Sequence, residues 1–495
     1  MAVLIVIPVL ITVFVIYRRW LHPLAQFPGP FVASISGLYQ TYWNFQPNFP
    51  DNFVRLHEKY GPIVRYSPNG LIFNDAELLS IAYGRRADKS DFFAPNFDTH
   101  STFTRKFYEE HVASKKTIAT AYSYLNLKLF EARIDKLILS WLGLLVKSTH
   151  EQGTTDFLEH ASWLTFDVTS QLACGKPIGF IEAGTDVRDL IHNKNLCFRW
   201  INFLAIQDNF SWYIRNTRLG RWLLMARPTD KSGVGVLMRE RDRIVESVFD
   251  NDGNIKKNSL VEGSLLSTFL SANNDDESQM SFTDTKAEIL FALLAGSSVT
   301  PSALWTMVFL ISRDSEVKEA LYQELISAER TAQIPSKQSI ISDEQAKKLP
   351  YLHACIQESF RFAPTLSQLP RYSPRGTGLR IHGKYVPPGF SVSTSPWVIG
   401  RNKALFGIDA DIYRPERWIE ASPGQVRKWN RNGFHFGYGG RKCVAKPFAL
   451  IQIYKVIAEI FRRFDVQVDG PTHGTSAGKA STKQFRFILR PSDDD

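Results

Sequence analysis

Phe434-His-Phe-Gly-Tyr-Gly-Gly-Arg-Lys-Cys-Val-Ala-Lys446 is the stretch that decides how this chain is read. Gly437, Gly439 and Gly440 permit a tight bend with backbone amides turned inward. Cys443 follows, at the mouth of a helix predicted to begin near Lys446. Inward amides and a helix N-terminus both favour thiolate over thiol, and the thiolate is the form that ligates metal. Arg441 and Lys442 add positive charge. A phosphate loop is excluded, because Gly-x-x-x-x-Gly-Lys-Ser/Thr is absent and cysteine follows the basic pair. Standing alone, a cysteine in a glycine-rich turn is more often structural than chemical, so the rest of the chain has to decide.

Four cysteines occur in 495 residues, Cys174, Cys197, Cys355 and Cys443. That excludes a disulfide scaffold, and no two lie at Cys-x-x-Cys spacing, which leaves a four-cysteine zinc or iron–sulfur site without support. Hydrophobic residues at 44% and charged residues at 22% fit a folded chain and exclude a disordered or collagen-like one. Lysine plus arginine number 59 against 49 aspartate plus glutamate, a net charge of +10. No basic block concentrates the surplus, so nucleic-acid binding has no pattern behind it; an acidic partner or an anionic membrane surface suits it better.

Residues 2–17 are apolar and uncharged, and Arg18, Arg19 and Trp20 follow at once. This predicts an N-terminal transmembrane helix over residues 1–20, kinked at Pro8, with the basic pair and the rest of the chain on the cytosolic side. Residues 21–50 form a proline-rich hinge and the start of the body, stiffened by His22-Pro23 and Phe27-Pro28-Gly29-Pro30. In the body, 51–60 reads as a short helix. Residues 63–74 read as a hairpin turning at Pro68-Asn69-Gly70. Helical spacing runs through 109–150, 154–174, 233–250 and 283–330, with polar breaks at 250–257 and 272–279. Short strands and proline turns fill 378–398, a last helix spans 448–464, and a strand follows near 484–489. Residues 198–227 interleave tryptophan and phenylalanine with arginine, which suits either a membrane-dipping surface or a buried helix with snorkelling arginines.

With its neighbours, the opening stretch resembles the haem-binding signature of the cytochrome P450 family, Phe-x-x-Gly-x-Arg-x-Cys-x-Gly: Phe436, Gly439, Arg441 and Cys443 match, and Ala445 stands where glycine is usual. The resemblance implies a mainly α fold with a minor β region, and b-type haem (iron protoporphyrin IX) with Cys443 as the axial ligand to the iron. Glu358-Ser-Phe-Arg361 is similar to the family's Glu-x-x-Arg, and Pro415-Glu416-Arg417 to the segment whose arginine completes that structural network. By the same resemblance Arg371, and His111 and Lys115 from one helix, lie on the haem side, with Arg371 and Lys115 toward the propionates. His111 and Lys115 stand where the family often has Trp and Arg. Residues 51–495 then form one haem-binding catalytic domain. The similarity is greatest to fungal microsomal members of the pisatin-demethylase-like branch, which commonly serve secondary-metabolite biosynthesis.

One segment departs from the pattern. Leu294-Ala-Gly-Ser-Ser-Val-Thr-Pro301 stands where the family usually has Ala-Gly-x-Asp/Glu-Thr-Thr. Ala295 and Gly296 would leave room beside the haem. Ser298 and Val299 replace the acid/alcohol pair that relays protons during oxygen activation, and valine donates none. In one reading Ser298, Thr300 or water takes over and the protein is a monooxygenase of a lipophilic small molecule. In the other it rearranges, dehydrates or couples its substrate without that relay. A non-catalytic haem or lipophile-binding protein is the remote third.

The monooxygenase reading implies NADPH as electron source through a separate NADPH-cytochrome P450 reductase, with cytochrome b5 as a further partner. It also implies location in the endoplasmic reticulum membrane, single-pass, with the catalytic domain cytosolic. Arg427, Lys428, Arg431, Arg441, Lys442 and Lys446 form the expected docking patch for the acidic flavoprotein. The sequon at Asn209 is expected to face the cytosol and stay unglycosylated. Substrate-pocket walls are expected from 85–110, 198–225 and 365–371.

Overall fold

The computed structural model describes residues 2–46, 49–84, 87–94, 100–250, 252, 254–271, 280–468 and 485–490. Its axis is the helix Phe282–Ser312. Apolar residues occur on nearly every side of it, so it can be stable only when surrounded. The helices Phe157–Cys174, Val234–Glu246, Pro350–Phe362 and Lys446–Arg463 all pack against it, and Leu293, Leu304, Val308, Phe309 and Leu310 are buried in the main core. Among the described residues it is the one helix long and apolar enough to cross a membrane, yet 72% of its most apolar window is buried inside the protein. It is a core helix.

Beside this helical mass lies a four-stranded sheet in the order Ile63–Ser67, Gly70–Phe73, Ser391–Ser393, Arg371–Tyr372. Gly70–Phe73 runs parallel to Ser391–Ser393 and the other pairs are antiparallel. Two-stranded sheets join Leu379–Ile381 to Lys384–Val386 and Phe464–Val468 to Phe485–Leu489. The fold is mainly helical with small sheets, as expected.

Helix boundaries differ from the periodic pattern where a cap intervenes, because apolar spacing carries no information about caps. The stretch 109–150 is broken into Tyr108–Ala119, Tyr124–Lys128 and Glu131–Gln152, and Ser123 caps the second piece by accepting from Asn126 N–H. The run 283–330 stops at Ser312, and Asp314 caps a new helix, Ser315–Arg330, through the amides of Glu316 and Val317. The last helix is Lys446–Arg463, and Phe464 already opens a strand. The expected break at 272–279 and the side chain of Asn209 lie outside the described residues.

The first helix, Ala2–Ile16, continues as a π-helical turn over Tyr17–Leu21. The connector after it is fixed to the sheet by Arg65, 1% exposed. Arg65 donates to the carbonyls of Arg18 and Pro68, both at 2.9 Å, and to that of Ser34 at 3.3 Å. Its backbone N–H donates to Pro28 O at 2.7 Å. A Cβ on Gly29 would collide with Arg65 O, so this position requires glycine.

Candidate active site

The loop leading to Cys443 is closed by its own backbone. Gly437 N–H donates to Phe434 O at 3.0 Å and Cys443 N–H to Phe436 O at 2.9 Å. Gly437 and Gly439 take φ of 78° and 65°, where a side chain is strained, and a Cβ on Gly439 would also meet Tyr83 O. Ala445 has φ −83°, so the alanine found where the family has glycine is compatible with the backbone. Backbone N–H groups of Ala445 and Lys446 donate to the Cys443 thiol, and Lys115 and Lys446 lie near. Burial outweighs them and pushes the thiol up. The amides and the two lysines favour the thiolate, as the sequence leads one to expect, and burial opposes them. Cys443 still has exposed surface. One face of the loop is therefore open to a group seated against the thiol.

Cations converge beside this opening. Arg371, 3% exposed, lies between the rings of Tyr83 and Phe93, 5.4 and 5.1 Å from their centroids. Lys89, 4% exposed, is its direct antiparallel bridge partner, and like charges directly opposite on paired strands repel. Lys89 donates to Phe103 O. Burial, then Arg371 and Arg441, push its ammonium well down. His111 is pushed down to about 3 by burial and by Lys89, Arg441, Lys115 and Arg371. Arg441 donates to Lys106 O at 2.9 Å and reaches Asp88 at 3.9 Å. The one acid acting on Lys89 is Glu288, which is itself pushed up by burial. Among the described residues, Arg441 Nε and His111 Nδ1 are buried without a hydrogen-bond partner.

This surplus of buried cations next to a thiol is what a dianionic, thiol-ligated group would neutralise. Haem, with two propionates and an iron, fits. Arg371, Arg441 and Lys89 would hold the propionates and Cys443 the iron. Lys115 has another occupation: Nζ donates to Gly440 O and Lys442 O, both at 2.9 Å, and so braces the loop. Lys89 was not visible as a site residue in the sequence, because it stands in a segment read only as a pocket wall. Lys89→Met is expected to speed haem loss to an excess of apomyoglobin by roughly ten-fold, the scale of one charge-assisted hydrogen bond. Unchanged haem retention would show Lys89 to be a packing residue.

On the long helix, Val299 is 40% exposed within an otherwise buried element, and Ala295 is half-buried one turn before it. This face is accessible although the helix is otherwise buried, and the family resemblance implies that it lies beside the haem. Thr300 is 6% exposed and lies off that face. Ser298 Oγ donates to Leu294 O at 2.7 Å and Ser297 Oγ to Leu293 O at 2.5 Å. At Gly296 a Cβ would overlap Thr169 of the helix Phe157–Cys174. Its role is close helix packing.

Glu358, fully buried, accepts from Arg361 Nε at 2.8 Å and Nη2 at 2.6 Å, Arg417 Nε at 3.0 Å, Trp418 Nε1 at 2.9 Å and Arg414 N–H at 2.9 Å. Two residues on, Phe360 stacks on His435 at 4.7 Å and meets Phe436 edge-on at 5.2 Å. The network is thereby joined to the thiol loop.

Comparison with known proteins bears on the chain as a whole. A model of the cytochrome P450 family matches residues 26–490. The chain is similar to the cytochrome P450 monooxygenase ustC of Aspergillus flavus, 40% identical over 90% of this chain and 79% of the relative. It is 28% identical to a pisatin demethylase of Fusarium vanettenii, over 96% of this chain and 92% of that one. It is 27% identical to the cytochrome P450 monooxygenase gsfF of Penicillium aethiopicum, over 96% and 95%. A cysteine loop braced by a buried Glu-Arg-Arg network, a cation cluster fit for two propionates, and a match over almost the full length lead to one assignment: the chain belongs to the cytochrome P450 family and is a monooxygenase oxidoreductase.

Proposed function

We propose that this monooxygenase is membrane-anchored and oxidises a lipophilic small molecule in fungal secondary metabolism, on the cytosolic face of the endoplasmic reticulum. The observation that carries the chemistry is the glycine-bent loop of Cys443 beside the buried cluster of Arg371, Lys89 and Arg441. Haem, held through Cys443, would supply the oxygen-activating chemistry of the family. The chain's own residues do the rest. Arg371, Arg441 and Lys89 orient the cofactor, and the Glu358 network with Lys115 holds the loop. Ala295 and Val299 present an apolar, proton-poor face. Phe103, stacked on Phe291 at 4.4 Å and edge-on to Phe93 at 5.4 Å, offers apolar surface to a lipophilic substrate.

Membrane attachment is supported by the exposed apolar side chains of the first helix, from Val6 to Ile16. A second exposed set, Trp200, Trp212, Leu219, Trp222 and Leu223, is too large for open water. Electrons would come from NADPH through a separate reductase, with cytochrome b5 as an additional donor. Arg427, Lys428, Arg431, Lys442 and Lys446 are exposed and suit an acidic flavoprotein, whereas Arg441 is turned inward and leaves that patch.

The test uses the precursor that accumulates when the gene is deleted in its host. Supplied to the full chain in vesicles with a reductase, it should be converted only with NADPH and dioxygen, with one heavy oxygen atom entering the product from labelled dioxygen. Conversion in the absence of both co-substrates would overturn this function in favour of a rearrangement or dehydration.

A further inference from the structure

Pro301 stands inside the long helix, where it has no N–H for the carbonyl four residues earlier. That carbonyl belongs to Ser297, and it is occupied: Lys194 Nζ donates to Ser297 O at 2.8 Å. Lys194 projects from the adjacent helix Leu190–Ile206 and is 4% exposed, with Ser297 fully buried. Its other neighbour is the face of Phe166, 5.6 Å from the ring centroid. Among the described residues no salt bridge reaches it. The acid that acts on it, Asp186, already accepts from the amides of Ile191 and His192. The helix Val234–Glu246, also packed here, turns Glu240 to Arg188.

A buried ammonium without a counter-ion is unfavourable, and an apolar side chain of equal length would avoid the cost. Something must require the donor. Ser297 lies within the turn 295–299, which carries the accessible Ala295 and Val299, and the hydroxyls of Ser297 and Ser298 are turned back onto their own helix. The Ser297 carbonyl is therefore the group in this turn whose ladder donor has been removed. The helix carrying Lys194 also touches Asp91–Phe93, next to Lys89.

We propose that Lys194 is a positioning residue of the active-site helix: its ammonium replaces the N–H that Pro301 lacks, fixes the course of the turn 295–299, and couples that turn to the helix Leu190–Ile206. This rests on the monooxygenase assignment. The bond is charge-assisted while Lys194 keeps its proton. Burial pushes the ammonium down to about 8, with Asp186 restoring part, so mildly alkaline pH weakens the bond.

Four full-length proteins in vesicles decide it: wild type, Lys194→Met, Pro301→Ala and the double variant. Two quantities are read, the thermal midpoint of the carbon monoxide-competent haem signal and the peroxide released per NADPH oxidised with a reductase. In the latter, two electrons from NADPH and two protons reduce dioxygen to hydrogen peroxide. Lys194→Met is expected to lower the midpoint and raise the peroxide ratio on the order of three- to ten-fold. Pro301→Ala restores the ladder donor, so in that background the same substitution should have less than about a third of its effect. The wild-type ratio should rise as pH passes through about 8 and stay flat in Pro301→Ala. Lys194→Arg should retain most of the wild-type behaviour. Additive effects, or a Lys194→Met protein with unchanged ratio and midpoint, would overturn the proposal. If Lys194→Met fails to hold haem, rescue in the double variant supports it and failure to rescue overturns it. A wild type that consumes no NADPH defeats the monooxygenase assignment instead, and the non-additivity of the midpoints then decides the role of Lys194.

Discussion

Cys443→Ala is expected to abolish the thiolate-type Soret band of the reduced carbon monoxide complex and to bring turnover to background, while the fold survives. The loop does not depend on the thiol for its shape. Its bends come from the backbone bonds at Gly437 and Cys443 and from Lys115 bridging Gly440 O and Lys442 O. An alanine keeps all of them. What disappears is the one soft ligand facing the opening, and no cluster of three or more His, Cys, Asp or Glu residues able to hold a metal exists among the described residues. The three other cysteines cannot substitute: Cys197 and Cys355 are buried, and burial holds the thiol of Cys174 up as well. Circular dichroism should overlay on wild type. A thiolate-type band that survives in Cys443→Ala would falsify the assignment of the ligand.

Glu358→Gln is expected to be the most destabilising single substitution, by about 3–5 kcal/mol, with haem lost before the helical signal. Five donors from four residues end on this carboxylate. The amide keeps one acceptor oxygen and turns two hydrogens toward the buried Arg361 and Arg417. Both guanidiniums also donate to backbone carbonyls: Arg361 to those of Gly400, Ala410 and Ile412, Arg417 to those of Phe406, Asp409 and Ile412. Neither can swing away to water without opening the segment 400–412. Displacement would reach the thiol loop through Phe360 and His435. An exposed helical pair such as Lys147 with Glu151 at 3.9 Å should contribute only a few tenths of a kcal/mol. Thermal melts followed at the Soret band and in the far ultraviolet separate the two steps. A loss below about 1 kcal/mol would place Glu358 among ordinary surface pairs.

How much of this was legible in the sequence depends on range. The cysteine loop could be read because its glycines, its cysteine and the following helix are contiguous, so local chemistry determines local shape. Glu358 and Arg361 could be paired by helical spacing alone. The positions of His111, Lys115 and Arg371 around one opening came from family resemblance, and the structure adds what resemblance does not carry: Lys115 faces loop carbonyls, and Gly296 faces Thr169. Lys89 went unseen because its partner, Arg371, is about 280 residues away, and strand pairing across such a separation leaves no mark on either segment. Lys194 was missed for the same reason. A proline at 301 inside a helical pattern removes a ladder donor on any reading, but only the packed structure identifies Lys194 as the side chain that answers it.

The cross-strand pairing of Lys89 with Arg371 has a consequence for the life of the molecule in the cell. A chain completed before cofactor is available carries mutual repulsion at one seam, where a strand of only two residues meets a loop. That seam should open more readily than the rest, exposing the buried Phe93 side chain, and cofactor capture would close it. Chains without cofactor should then be turned over faster than filled ones.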